Sequence, residues 1–122
     1  MNKTSTIAAF VALALAAPSA AFAHALLVKA VPAVGGTVSA SPTQLKLSFS
    51  EGVEPRFSGV ELQSADGRAV ATGTPSVDPS DKATLIVPIK SALAAGGYKV
   101  SWHVVSVDTH KTQGSFTFDV KP

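Results

Sequence analysis

Two short stretches of this 122-residue chain carry residue types able to do chemistry: His24, and the tripeptide Asp108-Thr109-His110. If the residues ahead of it are removed, His24 becomes a chain terminus with two neighbouring nitrogen donors, the α-amine and the imidazole Nδ1. Together these can close a chelate ring on one metal ion, which no internal histidine can do. Asp108 and His110 are two positions apart and fall on one side if the backbone there is extended, bringing a carboxylate oxygen and an imidazole to one place. An amine, two imidazoles and a carboxylate suit the tetragonal preference of copper(II), which also heads the divalent affinity series. The softer ligands that copper(I) prefers are missing: there is no cysteine, and the single methionine is Met1. Each stretch also has a plainer reading, His24 as an accident of processing and Asp108-Thr109-His110 as a solvated turn. Spacing does not say whether residues 24 and 108–110 meet.

Residues 1–23 have the organisation of a cleavable secretory signal: Lys3, an apolar run over 7–17, and a closing Ala21-Phe22-Ala23. The run is shorter than the ~20 residues a bilayer-spanning helix requires, and nothing later is apolar enough to span. The expectation is an exported protein with a mature domain over 24–122 that begins at His24 and has no membrane span. Loss of Lys3 reduces the ten basic residues to nine against eight acidic ones. A balance that even excludes nucleic acid and anionic lipid as obvious partners. Without cysteine there is neither a disulfide framework nor a thiolate metal site, so burial alone must hold the fold.

The elements that must position the candidate ligands read as strands. Over 43–51, Leu45, Leu47 and Phe49 alternate with Lys46, Ser48 and Ser50. Val60 and Leu62 flank Glu61, and Asp66-Gly67 marks a tight hairpin leading to 69–71. Residues 82–88 are β-rich. Gly96-Gly97 opens a run with Tyr98, Val100, Trp102 and Val104 in one phase, and the last run places Phe116, Phe118 and Val120 inward. One helical turn at most is expected, at 90–95. About seven short strands in one domain predict an all-β, Greek-key antiparallel sandwich of immunoglobulin type. Its core is expected to contain Phe49, Trp102, Phe116 and Phe118, with Phe57 as a further candidate. His103, on the outward phase beside Trp102, reads as a surface histidine. Glu51 reads either as a solvated strand-end carboxylate or, continuing the inward phase of Leu45, Leu47 and Phe49, as an acid that needs a partner.

The mature chain resembles the CopC family of periplasmic copper-binding proteins along nearly its whole length. The resemblance rests on His24-Ala25-Leu26-Leu27 with Val31-Pro32-Ala33, on Leu47-Ser48-Phe49-Ser50-Glu51, and on Gly97-Tyr98-Lys99-Val100-Ser101-Trp102. It continues through Val105-Ser106-Val107-Asp108-Thr109-His110 and Gly114-Ser115-Phe116-Thr117-Phe118. It implies a Greek-key sandwich that binds copper(II) through a histidine brace, with His24, Asp108 and His110 as ligands. Glu51 would hold a ligand or the terminal amine by hydrogen bonding. Some members carry a methionine-rich loop for copper(I) at the far end, whereas residues 59–84 here contain neither methionine nor histidine. A copper(II)-only site is therefore expected.

The resulting expectation is a non-enzymatic, monomeric periplasmic protein of copper homeostasis or resistance. It would sequester copper(II) or pass it to an inner-membrane copper transport protein of the CopD type. Two other classes compete. A histidine brace is also the copper centre of oxidative polysaccharide-cleaving enzymes, although Asp108 in the fourth in-plane position would suppress oxygen activation and no planar aromatic array is evident. An immunoglobulin-like interaction module without metal is the third reading.

Overall fold

In a computed structural model that describes residues 25–122, the period-two runs become strands of two packed sheets. The strands are β1 (Leu27–Val31), β2 (Thr37–Val38), β3 (Gln44–Phe49), β4 (Gly59–Ser64), β5 (Ala69–Val70), β6 (Ser76–Asp78), β7 (Asp81–Pro88), β8 (Gly96–Val105) and β9 (Lys111–Val120). One sheet has the order β1-β3-β7-β6 and the other β2-β9-β8-β4-β5. The leader and His24 lie outside the described residues.

The alternation read from the sequence is the burial pattern observed. Leu45, Leu47 and Phe49 of β3, Leu85 and Val87 of β7, Leu62 of β4, Tyr98, Val100, Trp102 and Val104 of β8, and Phe116, Phe118 and Val120 of β9 are all buried between the sheets. One ring pair joins the layers, Trp102 meeting Phe49 edge-on with centroids 5.1 Å apart, and another lies within the five-stranded sheet, Tyr98 stacking on Phe118 at 5.6 Å. The indole of Trp102 also crosses over Gly114, its neighbour on β9; a Cβ there would stand 2.6 Å from Cζ2, so the ring's position requires glycine.

The architecture departs from expectation in four places. Among the described residues there are nine strands rather than about seven, because β2 and β5 have two residues each and β6 three, too short for a period to register. One pairing is parallel, β2 with β9, through Thr37 opposite Asp119 and Val38 opposite Val120. The short helical element among the described residues is a 3-10 turn at Pro55–Phe57, not the stretch at 90–95, where one turn at most is expected and none forms. Phe57 is 63% exposed rather than part of the core. The inward place in that crossing is taken by buried Ser58, whose hydroxyl donates to the Glu54 carbonyl at 2.7 Å and accepts from the Val105 amide at 3.1 Å.

Four chain ends meet at one end of the sandwich. The start of β1 lies opposite the end of β3, with Leu27 across from Phe49. The end of β8 and the start of β9 join there through residues 106–110, with Val105 across from Lys111. The segment after β3 is stitched to this connection: the Val107 amide donates to the Gly52 carbonyl at 3.0 Å and the Glu54 amide to the Val105 carbonyl at 2.8 Å.

Candidate metal centre

Asp108 and His110 lie together, but not on an extended backbone. The β8–β9 connection is a tight turn in which the Ser106 amide donates to the His110 carbonyl at 2.9 Å and the Thr109 amide to the Ser106 carbonyl at 2.8 Å. Thr109 carries the chain through the left-handed region at φ 74°. The turn, rather than strand parity, brings His110 Nδ1 within 3.1 Å of Asp108 Oδ1. Ser106 is fully buried beneath them. Its hydroxyl donates to Asp108 Oδ1 and accepts from the His110 amide at 3.2 Å, so one side chain fixes both. At that spacing the imidazole nitrogen and the carboxylate oxygen can serve as neighbouring donors to one cation.

The same turn occurs a second time in the molecule. In Ser64-Ala65-Asp66-Gly67-Arg68, which joins β4 to β5, the Ser64 amide donates to the Arg68 carbonyl at 2.9 Å and the Gly67 amide to the Ser64 carbonyl at 2.8 Å. There too the serine hydroxyl donates to the aspartate two residues on, and the fifth residue faces that aspartate, Arg68 at 3.7 Å from Asp66. Gly67 occupies the left-handed position at φ 89°, where the other turn has Thr109. The Asp108–His110 geometry is thus a property of the backbone motif and needs no metal to form, which lowers the ordering cost of binding.

A threonine in that position is strained, since a left-handed L-residue costs about 1–2 kcal/mol and β-branching adds to the penalty. Glycine removes the strain but adds about 0.5–1 kcal/mol of unfolded-state entropy. Thr109→Gly is therefore expected to stabilise the metal-free protein by about 0.5–1 kcal/mol in urea denaturation; a loss of stability would show that Thr109 is not strained.

The hydrogen bonds from Ser106 and then His110 lower the Asp108 carboxyl from 3.8 to about 2, against a small opposing effect of burial. The folded-state value is depressed, so the stability it contributes is complete above 3.8 and disappears as the pH falls through about 2. Acid unfolding of the metal-free protein, followed by circular dichroism, should have a limb in that window that is shallower in Asp108→Asn. An unchanged limb would mean that the carboxylate makes no such contacts in solution. Over the neutral range the carboxylate is ionised and available to a cation.

The amino-terminal segment reaches the same place from the other sheet. Ala25, directly after His24, is fully buried, and its carbonyl accepts a 2.9 Å hydrogen bond from Thr112 Oγ1, two residues beyond His110. Leu26 is held on its other side by Ser50: its amide donates to Ser50 Oγ at 2.8 Å, and the Ser50 amide donates to its carbonyl at 2.9 Å. Ala25, the first described residue, is thereby fixed beside the hairpin. Among the described residues no three His, Cys, Asp or Glu side chains gather as a metal cluster, and Asp108 and His110 are the pair the structure brings together.

Glu51 does not continue the inward phase of β3, because the strand ends at Phe49 and residues 50 and 51 form a bend. It is half-buried, between Ser50, which binds the terminal segment, and Gly52, which accepts from Val107 of the hairpin. His103 is exposed on β8, its ring over Gly59, as expected for a surface histidine. Ser50, Ser106 and Thr112 were not singled out in the sequence. Thr112 had a usable signal, being two positions before Gly114 and in phase with Phe116 and Phe118: an inward hydroxyl at the rim of a core needs a partner.

Fold and hairpin together define a small two-sheet sandwich with potential ligands along one rim. Comparison with known proteins makes the class specific: the CopC domain model matches residues 27–121, and the chain belongs to the CopC family. It is 42% identical over 113 residues to protein YobA of Escherichia coli K12, covering 93% of this chain and 90% of that one. Copper resistance protein C of Pseudomonas syringae pv. tomato is 37% identical over 133 residues, covering 99% and 98%. A region of the copper transport protein CutJ of Bacillus subtilis is 28% identical over 103 residues, 84% of this chain but 19% of that protein.

Among solved structures, CopC from Methylosinus trichosporium OB3b superposes with a TM-score of 0.75 at 33% identity, covering 81% of this chain and 95% of that one. PcoC from Escherichia coli, described as a methionine-rich copper resistance protein, superposes with a TM-score of 0.73 at 34% identity, covering 81% and 100%. Family membership places the chain among copper-binding carriers with a role in copper resistance and not among enzymes. The oxidative-enzyme and metal-free readings are set aside accordingly. No helix among the described residues is long and apolar enough to cross a membrane.

Proposed function

We propose that the protein is exported to the periplasm, loses residues 1–23, and captures one copper(II) ion as cargo at the terminus so exposed. The α-amine and imidazole of His24 chelate the ion, the His110 ring supplies the third nitrogen, and Asp108 supplies an oxygen. His110 Nδ1 and Asp108 Oδ1, 3.1 Å apart, are spaced as neighbouring donors on a single ion can be. Glu51, in the bend between the two halves, holds the terminal amine by hydrogen bonding. The observation that carries this reading is the burial of Ala25 and its anchorage to β9 two residues from His110.

The ion is then kept from harmful chemistry or handed to an inner-membrane copper transport protein of the CopD type, with the carrier acting as a monomer. A hand-over is supported by the likeness to one part of a much longer protein named for copper transport. With Met1 as its single methionine, the chain lacks the soft donors a separate copper(I) site would use, which supports a copper(II)-only carrier. Mass spectrometry of the protein recovered from the periplasm tests the first step. The expected mass is that of a chain starting at His24 and taking up one equivalent of copper(II); a mature chain starting elsewhere would refute the proposal.

A further inference from the structure

The two halves of the proposed site belong to different sheets. The terminal segment leads into β1 at the edge of the four-stranded sheet, while Asp108 and His110 sit on the β8–β9 hairpin of the five-stranded one. Their separation is therefore set by how the sheets are joined at this end, not by either element alone. Thr112 makes that join beside the site. It faces into the sandwich, paired with Val104 on β8, and its hydroxyl reaches across to the Ala25 carbonyl at 2.9 Å. That bond spans 87 positions in sequence and ends on the Ala25–Leu26 peptide, one residue beyond His24.

We infer that Thr112 is a positioning residue for copper(II): an inter-sheet latch that holds the terminal chelate at ligand distance from His110 and Asp108. The inference rests on the reading of His24 as a ligand. The chelating terminus has only the rotations about His24 and Ala25 with which to meet the opposing ligands, so the placement of the Ala25–Leu26 peptide decides whether all of them can bind at once. Leu26 and Ser50 fix that peptide to the four-stranded sheet alone, because both belong to the β1–β3 side. Without the Thr112 hydroxyl the Ala25 carbonyl is left buried and unpaired, and the segment gains by moving away from the hairpin towards water.

Thr112→Val keeps the shape and β-branching and removes the hydroxyl, while Thr112→Ser keeps the hydroxyl. Ser41→Ala is the control, since Ser41 Oγ accepts from the Leu93 amide at 2.7 Å at the opposite end of the sandwich and its loss lowers stability without touching the site. Copper(II) affinity is measured on the processed proteins by competition with a chelator, together with the copper(II) electron paramagnetic resonance spectrum. The expected result is an affinity about tenfold lower for Thr112→Val, equivalent to about 1.4 kcal/mol. Its spectrum should be broadened or mixed, with Thr112→Ser and Ser41→Ala close to the unaltered protein.

An unchanged affinity and spectrum in Thr112→Val would overturn the inference, and so would equal losses in Thr112→Val and Thr112→Ser, which would trace the effect to packing. If Thr112→Val does not fold, Thr112→Ala takes its place under the same criteria. A form of the processed, otherwise unaltered protein acetylated at the His24 amine separates the two levels. If it binds copper(II) as tightly as the processed form, the reading of the site fails. If it binds far more weakly while Thr112→Val binds normally, only the latch fails.

Discussion

Acetylating the α-amine of His24 in the processed protein should lower the affinity for copper(II) at least about a hundredfold, or about 2.8 kcal/mol, while leaving the metal-free fold unchanged. Acetylation converts the basic amine into an amide with no free amine beside it to anchor the metal, and so removes one donor and the chelate ring together. The chain cannot rearrange to supply another terminus: Ala25 is fully buried and tied to Thr112 on one side, and Leu26 after it is paired with Ser50 on the other. The loss should exceed the 10–100-fold typical of removing an outer hydrogen-bonding partner of a metal ligand. Isothermal titration of processed and acetylated proteins measures it. Equal affinities would mean that the metal binds elsewhere or without the terminal amine.

His110→Ala should have an effect of similar size, at least about a hundredfold, because it removes a ligand outright. Its cost to the fold is expected to stay within about 0.5 kcal/mol, since the side chain is 45% exposed and its contact with Asp108 is at the surface. Asp108→Asn probes a different part of the same unit. The amide retains an oxygen for the Ser106 hydroxyl but loses the charge of the proposed ligand, so affinity should fall about as far as in His110→Ala; a much smaller loss would mean that the carboxylate does not ligate the metal. His110→Ala should unfold at nearly the temperature of the unaltered protein, and Asp108→Asn somewhat below it, because the carboxylate's contribution to stability is lost with its charge. Copper(II) binding that survives His110→Ala at full strength would remove the hairpin from the site.

These outcomes depend on features that the sequence revealed unevenly. The long strands β3, β8 and β9 were legible because each buries one face and leaves the other in water, so burial writes a period of two into the residues. Strand β1 was not: its register slips between Leu27 and Lys29, and the bulge breaks the alternation through which it would have been seen. Phe57 shows the limit of composition, since an aromatic side chain on a proline-initiated turn sits outside the phase of any strand. Asp108 and His110 were found for a reason that did not hold. Their meeting comes from a five-residue turn with a left-handed threonine, and the repeated serine-x-aspartate spacing at 64–66 and 106–108 was the overlooked clue. The latch between Thr112 and Ala25 joins residues far apart in sequence, and only the inward phase of Thr112 hinted that a partner existed.

The central claim is that copper(II) is held by the processed amino terminus and the histidine hairpin together. Pulsed electron paramagnetic resonance of the one-to-one copper(II) complex of the processed protein tests it most directly, because it counts coordinated imidazoles and, with a nitrogen-15 label on the terminal amine, registers that donor separately. The account predicts two imidazoles, from His24 and His110, and a coupled terminal amine. One imidazole, or no coupling to the labelled amine, would contradict it.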